Sequence, residues 1–381
     1  MTQVSTSATK FYTLLISLII TGLMTACSQQ VETINPASQG IESVASARLD
    51  DSVIDSAATL RSTASFPIGT MFSTQMLNGD QKVRSIIGKE FNSLTVGLFM
   101  NLQWERGKFN FDLMDRRIKG AEAYGVRLHG HSLVYHIAAP DWITKFKGNT
   151  ADFEQAVKVH VQTIAGRYKG RVKSWDVINE IIDWKTGKIS DNPFRKMYAT
   201  DEEYLAFVKK CFVWAHEADP DALLFLNEDV YERSVAKQNT MIKIINDFKK
   251  SGVPIHGLGT QMHINVNTPD QAIRTSIQSL VSTGLLIHLS ELDIAINPSR
   301  DNNLIISNQL TQTQQLKYQV VVSAYKQLVP DKQKHGLTLW GFSDADTWLV
   351  TAESKREMPL LFDTNYNKKP VYYTFLNTLR R

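Results

Sequence analysis

Eight short apolar segments alternate with longer amphipathic segments from residue 66 onward, and this alternation limits the folds open to the chain. The predicted strands are 66–72, 91–97, 126–135, 172–179, 222–227, 255–263, 285–294 and 336–342. Helices are predicted between them, for example at 111–124, 153–168, 202–216, 236–250, 269–283 and 313–328. Runs such as 222–226 and 285–289 are apolar throughout, which is typical of a parallel sheet covered on both faces. Eight strand–helix units therefore predict an α/β protein with a (β/α)8 TIM barrel.

An open, doubly wound sheet is the alternative arrangement of the same elements. Nucleotide-binding sheets of that kind carry a glycine-rich phosphate loop after the first strand, and this chain has none there. The barrel is therefore favoured. In a barrel of this kind, polar residues at the carboxyl ends of the strands form the active site.

Charge and cysteine content exclude several classes of partner. The 381 residues have a formal net charge of +4, and no basic block interleaved with aromatic residues marks a nucleic-acid path. Cys27 and Cys211 cannot build a disulfide framework or a Cys-x-x-Cys zinc site, and Cys211 is expected in the core. Neither a metal nor a cofactor is predicted. The charged helices favour a monomer.

The first 26 residues have the pattern of an export signal. Lys10 precedes an uncharged run at 11–24, which is short for a membrane span. The run ends in Met24–Thr25–Ala26–Cys27, which resembles the lipobox of bacterial lipoproteins; an ordinary signal with a chance cysteine is the alternative. We predict an exported lipoprotein anchored through Cys27 at the outer membrane or cell surface. Residues 27–60 would then be a flexible tether, and 61–381 the folded domain.

Polar residues end several of the predicted strands. They are Asn179 and Glu180, Asn227 and Glu228, Gln261 and His263, Glu291 and Asp293, and Trp340 and Asp344. Two opposed carboxylates, Glu180 after the fourth strand and Glu291 in the seventh, suit acid/base or nucleophilic cleavage of a glycosidic bond. Alone, either glutamate could equally be the charge that begins a helix, and Glu228, Asp229 and Asp344 could be solvated loop charges.

Five motifs in order carry a family resemblance. They are HGHSLVYH at 129–136, WDVINE at 175–180, GTQMH at 259–263, SELD at 290–293 and WGFSD at 340–344, followed by Trp348. With these motifs the chain resembles glycoside hydrolase family 10, which consists mainly of endo-β-1,4-xylanases. The resemblance covers residues 66–380 and implies a xylan-like polysaccharide or oligosaccharide as the substrate.

The resemblance implies a retaining double displacement with Glu180 as the general acid/base and Glu291 as the nucleophile. Retention requires the two carboxyl groups to lie about 5–5.5 Å apart. Asn179 would bond the substrate 2-hydroxyl or the surroundings of the nucleophile. His263 would bond Glu291, and Asp293 would orient His263.

The remaining matches imply contacts with the sugar. His131 would bind hydroxyl groups of the reacting sugar, and Trp340 and Trp348 would stack on it. Gln261 and Asn227 are expected at the rim of the site. Trp175 and Trp214 are assigned to the core, and for His136 and His288 a structural role and a site role remain open.

The departures from the family pattern cluster on the glycone side of the site. Where family members have Glu-Asn and then Lys-Trp after the second strand, this chain has Gly97–Leu98 and Asn101. The family Arg, Trp and Gln of the next motif are His129, Tyr135 and Ala138. Because lost hydrogen-bond partners change discrimination, a different or modified β-glycan is the alternative substrate.

Two other classes fit parts of the sequence. A metal-dependent amidohydrolase could draw ligands from His129, His131, His263 and His288, but that reading leaves Glu180 and Glu291 without a role. A non-catalytic surface glycan-binding protein would explain the altered glycone side. It would have no use for two opposed glutamates.

Overall fold

Residues 57–97, 99–351 and 356–381 are described by the structure, a computed structural model. The predicted signal peptide, Cys27 and all but the last residues of the predicted tether lie outside the described residues. At the beginning of the described part, Leu60 is fully buried and opens the first helix, which Thr59 and Ser62 begin with a capping box.

Nine strands form one parallel sheet in the described residues. They are β1 Ile68–Met71, β2 Ser93–Gly97, β3 Arg127–Tyr135, β4 Ser174–Asn179, β5 Leu223–Glu228, β6 Gly257–Thr260, β7 His263–Asn265, β8 Leu286–Ala295 and β9 Lys334–Leu339. The order around the ring is β6-β5-β4-β3-β2-β1-β9-β8, and β8 pairs with β6. This last pairing closes eight strands into a barrel, so the predicted (β/α)8 fold is confirmed and the open sheet is excluded.

Helices cover the outside of the barrel. Those of eight or more residues are α3 Gln81–Glu90, α4 Asp112–Glu122, α6 Thr150–Arg167, α7 Asp201–Ala218, α8 Val235–Lys250, α9 Asp270–Val281, α10 Asn308–Leu328 and α12 Pro370–Arg380. The shorter ones are α1 Leu60–Thr63, α2 Thr74–Leu77, α5 Asp141–Thr144 and α11 Trp348–Thr351, with 3₁₀ turns at Met100–Leu102, Arg195–Met197, Tyr231–Arg233 and Asp331–Gln333. None of the helices in the described ranges is both long and apolar enough to cross a membrane.

The core lies between the barrel strands and the helices. Every residue of β2, β4 and β6 is buried, as expected for a parallel sheet covered on both faces, and this includes the polar Ser174, Asp176 and Asn179 of β4. Helix α7 is typical of the outer layer: Thr200 and Glu203 form its capping box, and its inner face buries Cys211 with Phe207 and Phe212. The prediction of Cys211 as a core residue is confirmed.

The predicted strand 255–263 is wrong in its extent. The barrel strand β6 ends at Thr260, and Met262 has the left-handed φ of 61°, so the chain leaves the ladder there. The short strand β7 begins at His263 and pairs with β8 alone, with His263 opposite Asp293. The break turns His263 toward the seventh barrel strand, β8.

Candidate active site

Main-chain hydrogen bonds fix the residues that follow the strand ends. The amide N–H of Glu180 donates to the carbonyl of Asn227 at 3.0 Å, and that of Gln261 donates to Glu228 at 3.0 Å. The amide of Glu291 in turn donates to the Gln261 carbonyl at 3.0 Å. Glu180, Gln261 and Glu291 are therefore held by the neighbouring strands of the closed ring.

Glu180 adopts the left-handed backbone conformation, with φ of 57°. For a residue with a Cβ this conformation costs on the order of 1 kcal/mol. The next residue, Ile181, donates its amide N–H at 2.8 Å to Oε1 of the fully buried Glu228. That bond holds the turn that brings the Glu180 side chain into the site.

Three donors converge on one oxygen of the Glu180 carboxyl. Tyr135 Oη donates to Oε1 at 2.9 Å, Gln261 Nε2 at 2.8 Å and Asn179 Nδ2 at 3.2 Å. Burial, and then the negative charge of Asp229, raise the pKa of Glu180, while the bonds from Gln261 and Tyr135 oppose the rise. Since Oε1 already accepts three bonds, the protonated acid carries its proton on Oε2.

Glu291 lies in different surroundings. Its Oε1 accepts a bond from Asn227 Nδ2 at 2.8 Å, and its Oε2 lies 3.2 Å from His263 Nε2. Burial lowers the pKa of His263, but the charge of Asp293 and bonds to both carboxylates raise it well above its usual value. A protonated His263 therefore donates to Glu291 and, through Nδ1 at 2.9 Å, to Asp293. Trp348 Nε1 donates to the same Asp293 oxygen at 2.8 Å.

Asn227 connects the surroundings of the two glutamates. Its Nδ2 donates to Asn179 Oδ1 at 2.9 Å as well as to Glu291, and its Oδ1 accepts from Ser290 Oγ at 2.7 Å. Asn227 is fully buried beneath the site, so its expected position at the rim is wrong. Gln261 is also buried, although it lines the site.

A second histidine lies beside Glu291. His131 Nδ1 is 2.8 Å from Asp176 Oδ2 and 3.8 Å from Glu291 Oε1. Burial lowers the pKa of His131, but the charge of Glu291 and the bond to Asp176 raise it to about 9. Asp176 also lies 3.0 Å from His129 Nε2, in the layer below. The nucleophile candidate thus has cationic imidazoles on two sides.

One cavity of about 580 Å³ brings the predicted site residues together. Its walls include His131, Asn179, Glu180, Gln261, His263, Glu291, Asp293, Trp340 and Trp348. The Trp340 ring meets the His131 ring edge to face, with centroids 5.4 Å apart, and the Trp348 ring meets His263 at 5.1 Å. The cavity therefore combines two carboxylates, hydrogen-bonding polar groups and aromatic walls, as a sugar site requires.

Several contributing residues were missed by the motif reasoning. Tyr135, noted only as a departure from the family, bonds Glu180 directly. Lys237, fully buried, bridges Glu228 Oε2 at 2.7 Å and Asp229 Oδ1 at 2.5 Å, so neither acid is a free solvated charge. The sequence gives one signal for Lys237, which is its position in the first turn of α8, three residues after the N-cap Ser234.

Asp344 is not a solvated charge of a surface loop either. It is buried, bonds Lys369 Nζ at 2.7 Å through Oδ2, and accepts the Leu360 amide at 2.8 Å through Oδ1. Burial raises its pKa to about 6. These bonds stabilise the segment after β9, which carries the aromatic wall of the cavity.

The four histidines that a metal-dependent amidohydrolase would use lie in two layers, the cavity wall and the barrel interior below it. His131 and His263 line the cavity, whereas His129 and His288 lie inside the barrel with His335. That inner trio, all buried, is the one group of three or more possible metal ligands in the described ranges whose ligand atoms all come within 4.8 Å of one another. His288 bonds Thr338 Oγ1 at 2.8 Å, which gives it a structural role.

The sequence is similar to known proteins over most of the described residues. The model of the family described as "Glycosyl hydrolase family 10" matches residues 57–378. The endo-β-1,4-xylanase Xyn10C of Cellvibrio japonicus is 34% identical over 342 residues, which cover 82% of this chain and 56% of that protein. An endo-1,4-β-xylanase of Geobacillus stearothermophilus is 33% identical over 328 residues, 82% of this chain and 95% of that protein. The chain spans about half the length of the Cellvibrio relative.

Solved structures give the same match. Xylanase 10C from Cellvibrio japonicus, a mutant in complex with xylopentaose, superposes with a TM-score of 0.78 at 31% identity, covering 84% of this chain and 69% of that one. A GH10 protein from Paenibacillus barcinonensis superposes with a TM-score of 0.77 at 29% identity, covering 84% and 96%.

Proposed function

The chain belongs to glycosyl hydrolase family 10, and on that premise we propose that it hydrolyses β-1,4-linked xylan-like polysaccharides with retention of anomeric configuration. The observation that carries the proposal is the contrast between two carboxyls in one cavity. Glu180 is held by neutral donors and has a raised pKa, whereas Glu291 is flanked by imidazolium groups. Such a pair supplies one acid and one nucleophile.

In the first step, Glu291 attacks the anomeric carbon while Glu180 donates its Oε2 proton to the glycosidic oxygen. The bond from that carbon to the leaving sugar breaks, and an ester to Glu291 forms. His263 and Asn227 hold the Glu291 carboxylate in place for the attack. Trp340 and Trp348 exclude water on one wall.

In the second step, Glu180 acts as the base. The charge of Glu291 is one of the causes that raise the pKa of Glu180. Once Glu291 is esterified that charge is gone, so the pKa of Glu180 falls and its carboxylate can take a proton from water. The hydroxide attacks the anomeric carbon, the ester breaks, and Glu291 is released as a carboxylate.

The substrate assignment is supported by the relatives. The Cellvibrio and Geobacillus relatives are named xylanases, and one of the superposed structures holds xylopentaose. A glycone side that differs from a standard xylanase is part of the proposal, because Gly97 and Asn101 replace the family's hydrogen-bonding residues. We expect a β-glycan related to xylan, with a modified sugar on the glycone side, to be the better substrate.

The decisive experiment uses an aryl β-xyloside and the two glutamate variants. Glu291→Ala should abolish turnover. Glu180→Ala should lower it by about 10²–10⁴-fold on a poor leaving group, whose departure needs the acid. On a good leaving group, where breakdown of the ester limits the rate, the same variant should regain activity with azide, which needs no base to attack the ester. Proton NMR of the first product should show the β-anomer. An α-anomer, or no azide product, would contradict the roles given to the two residues.

A non-catalytic glycan receptor is the rival to this proposal. It predicts binding of xylan oligosaccharides with no turnover of any β-glycan in a polysaccharide screen with product analysis. It also predicts that Glu291→Ala leaves affinity unchanged. Binding without turnover in such a screen would favour the receptor over the hydrolase.

Anchoring to a membrane is proposed from the sequence alone. The Met24–Thr25–Ala26–Cys27 pattern supports an acylated N-terminus at Cys27, and the polar residues that follow support a tether. A lipoprotein at the outer membrane or cell surface would meet polymeric glycans outside the cell. The chain would act there as a monomer.

A further inference from the structure

The loops after β4 and β5 place positive charge beside the general acid candidate. Arg233 follows β5 and lines the cavity together with Glu180, and Arg300, which follows β8, lines it as well. The hydrolytic chemistry described above uses neither arginine. Two guanidinium groups in the wall of a sugar-binding cavity are the groups that pair with an anionic ligand.

The guanidinium of Arg233 has donors to spare. Within the described part of the chain its one ion pair runs from Nε to Glu232 Oε1 at 3.5 Å, and its side chain is 44% exposed. The two Nη groups therefore remain for a ligand, in the fork geometry that matches a carboxylate or a sulfate.

An exposed tryptophan accompanies this arginine. Trp184 lies four residues after Glu180, is 40% exposed, and has the Arg233 guanidinium carbon 5.7 Å from its ring centroid. Lys185 Nζ lies 5.5 Å from the same ring. Ser234 Oγ donates to the Trp184 carbonyl at 2.6 Å, so the two loops are fastened together. An aromatic face beside cations suits a sugar that carries an anionic group.

Of the acids nearby, Glu232 lies 3.5 Å from Arg233 Nε, and three others pair with different cations. Asp229, four residues before Arg233, already pairs with the buried Lys237 at 2.5 Å. Glu291 and Asp293 pair with His263. The two Nη groups of Arg233 are thus left to the substrate.

The ring order places this cluster on the leaving-group side. By the family resemblance, Gly97 and Asn101, which follow β2, belong to the glycone side. In the barrel, β2 and β5 lie on opposite sides of the β3–β4 pair that carries Tyr135 and Glu180. The loops after β4 and β5 therefore lie away from the glycone side, next to the group that departs.

From this arrangement we propose that Arg233, with Trp184 and Lys185, forms a subsite for an anionic substituent, a carboxylate or a sulfate ester, on a sugar of the leaving group. Arg300 adds positive charge on the β8 side of the cavity. The subsite rests on the proposed hydrolase function and deepens it, because it gives the substrate an acidic decoration.

The test compares an anionic polymer with its neutral counterpart and with a polymer that carries a different anion. The first polymer is xylan with uronic-acid side groups. The second is the same xylan after carbodiimide activation and borohydride reduction, which turns each carboxyl into a neutral hydroxymethyl group. The third is a neutral xylan to which sulfate esters have been added. For the unaltered protein we expect kcat/KM about ten-fold higher on an anionic polymer than on the reduced one, falling as salt rises. The uronate and sulfate polymers identify the anion.

Substitution of the arginine locates the effect. Arg233→Gln should bring the ratio of anionic to neutral kcat/KM close to one. Arg233→Lys should retain part of the preference because it keeps a point charge without the fork. Arg274→Gln, on the outer helix α9, removes the same charge away from the cavity and should leave the ratio as it is.

Affinity gives a readout that does not depend on turnover. Calorimetric titration with uronate-bearing and carboxyl-reduced xylo-oligosaccharides should show the same preference, lost in Arg233→Gln. Equal affinity and equal kcat/KM for anionic and neutral ligands would overturn the subsite, as would an unchanged ratio in Arg233→Gln. If no polymer and no aryl xyloside is cleaved, the hydrolase proposal fails, and the titration alone decides the subsite.

Discussion

Beside Glu180, Tyr135 replaces the tryptophan of the family pattern, and this replacement has a measurable consequence. Tyr135 donates to the same carboxylate oxygen as Gln261, at 2.9 Å against 2.8 Å. Donors to a carboxylate stabilise its ionised form and lower its pKa. Tyr135 is therefore a positioning residue that also limits how weak an acid Glu180 becomes.

Removal of this donor should move the alkaline side of the pH profile. In Tyr135→Phe the pKa of Glu180 rises further, so the acid keeps its proton to higher pH and the alkaline limb of kcat/KM moves up by about one pH unit. Tyr373→Phe, on α12, is the matched control and should not move it. An alkaline limb that stays in place or moves down would contradict the role given to Tyr135.

The residues of the site were predictable to different degrees. Glu180, Glu291 and the motif residues around them could be named because their order along the chain matches a family. Their partners could not, since the contact of Asn227 with both Asn179 and Glu291 depends on the register of three strands. A buried cation such as Lys237 is hidden in sequence because lysine in a helix is usually exposed.

At the scale of elements, the apolar runs in the sequence predicted where the buried strands lie. Strands covered on both faces are rich in apolar residues, and the runs at 222–226 and 285–289, in β5 and β8, were recognised for that reason. The break between β6 and β7 could not be predicted in this way, because the neighbours of the left-handed Met262, Gln261 and His263, are held by main-chain pairing with distant strands. Local sequence carries no sign of such bonds.

A pair of strand glycines tests how tightly Trp175 is packed against the barrel strands. A Cβ on Gly130 in β3 would lie 2.2 Å from Cε3 of the fully buried Trp175, whereas one on Gly97 in β2 would meet only the His131 carbonyl at 3.4 Å. Gly130→Ala should therefore lower the free energy of unfolding by about 1–3 kcal/mol. Gly97→Ala should change it little.

Urea unfolding followed by tryptophan fluorescence measures both variants under the same conditions. The comparison is direct because the two strands are neighbours and both glycines are buried. Equal midpoints for Gly130→Ala and the unaltered protein would mean that Trp175 can move aside, contrary to the close packing described for β3 and β4.

For the whole molecule, the sequence predicts a lipid anchor ahead of the barrel. If Cys27 is acylated, cells grown with labelled palmitate should incorporate label into the protein, and the protein should sediment with membranes. Cys27→Ser should lose the label and appear in the soluble fraction while keeping its activity on soluble substrates. Equal labelling of Cys27→Ser, or no label in the natural sequence, would contradict the prediction.

The closed ring of strands also bears on how such a chain can vary. Glu180, Gln261 and Glu291 take their places from carbonyls of adjacent strands, and the β6–β8 pairing returns the series to its beginning. The spacing of the two glutamates is thus set by the closed ring of eight strands, in which no strand can be lengthened or shifted in register by itself. Substitutions can accumulate in the loops that select the sugar. The distance between the carboxyl groups of Glu180 and Glu291, which determines the stereochemistry, is maintained by the barrel itself.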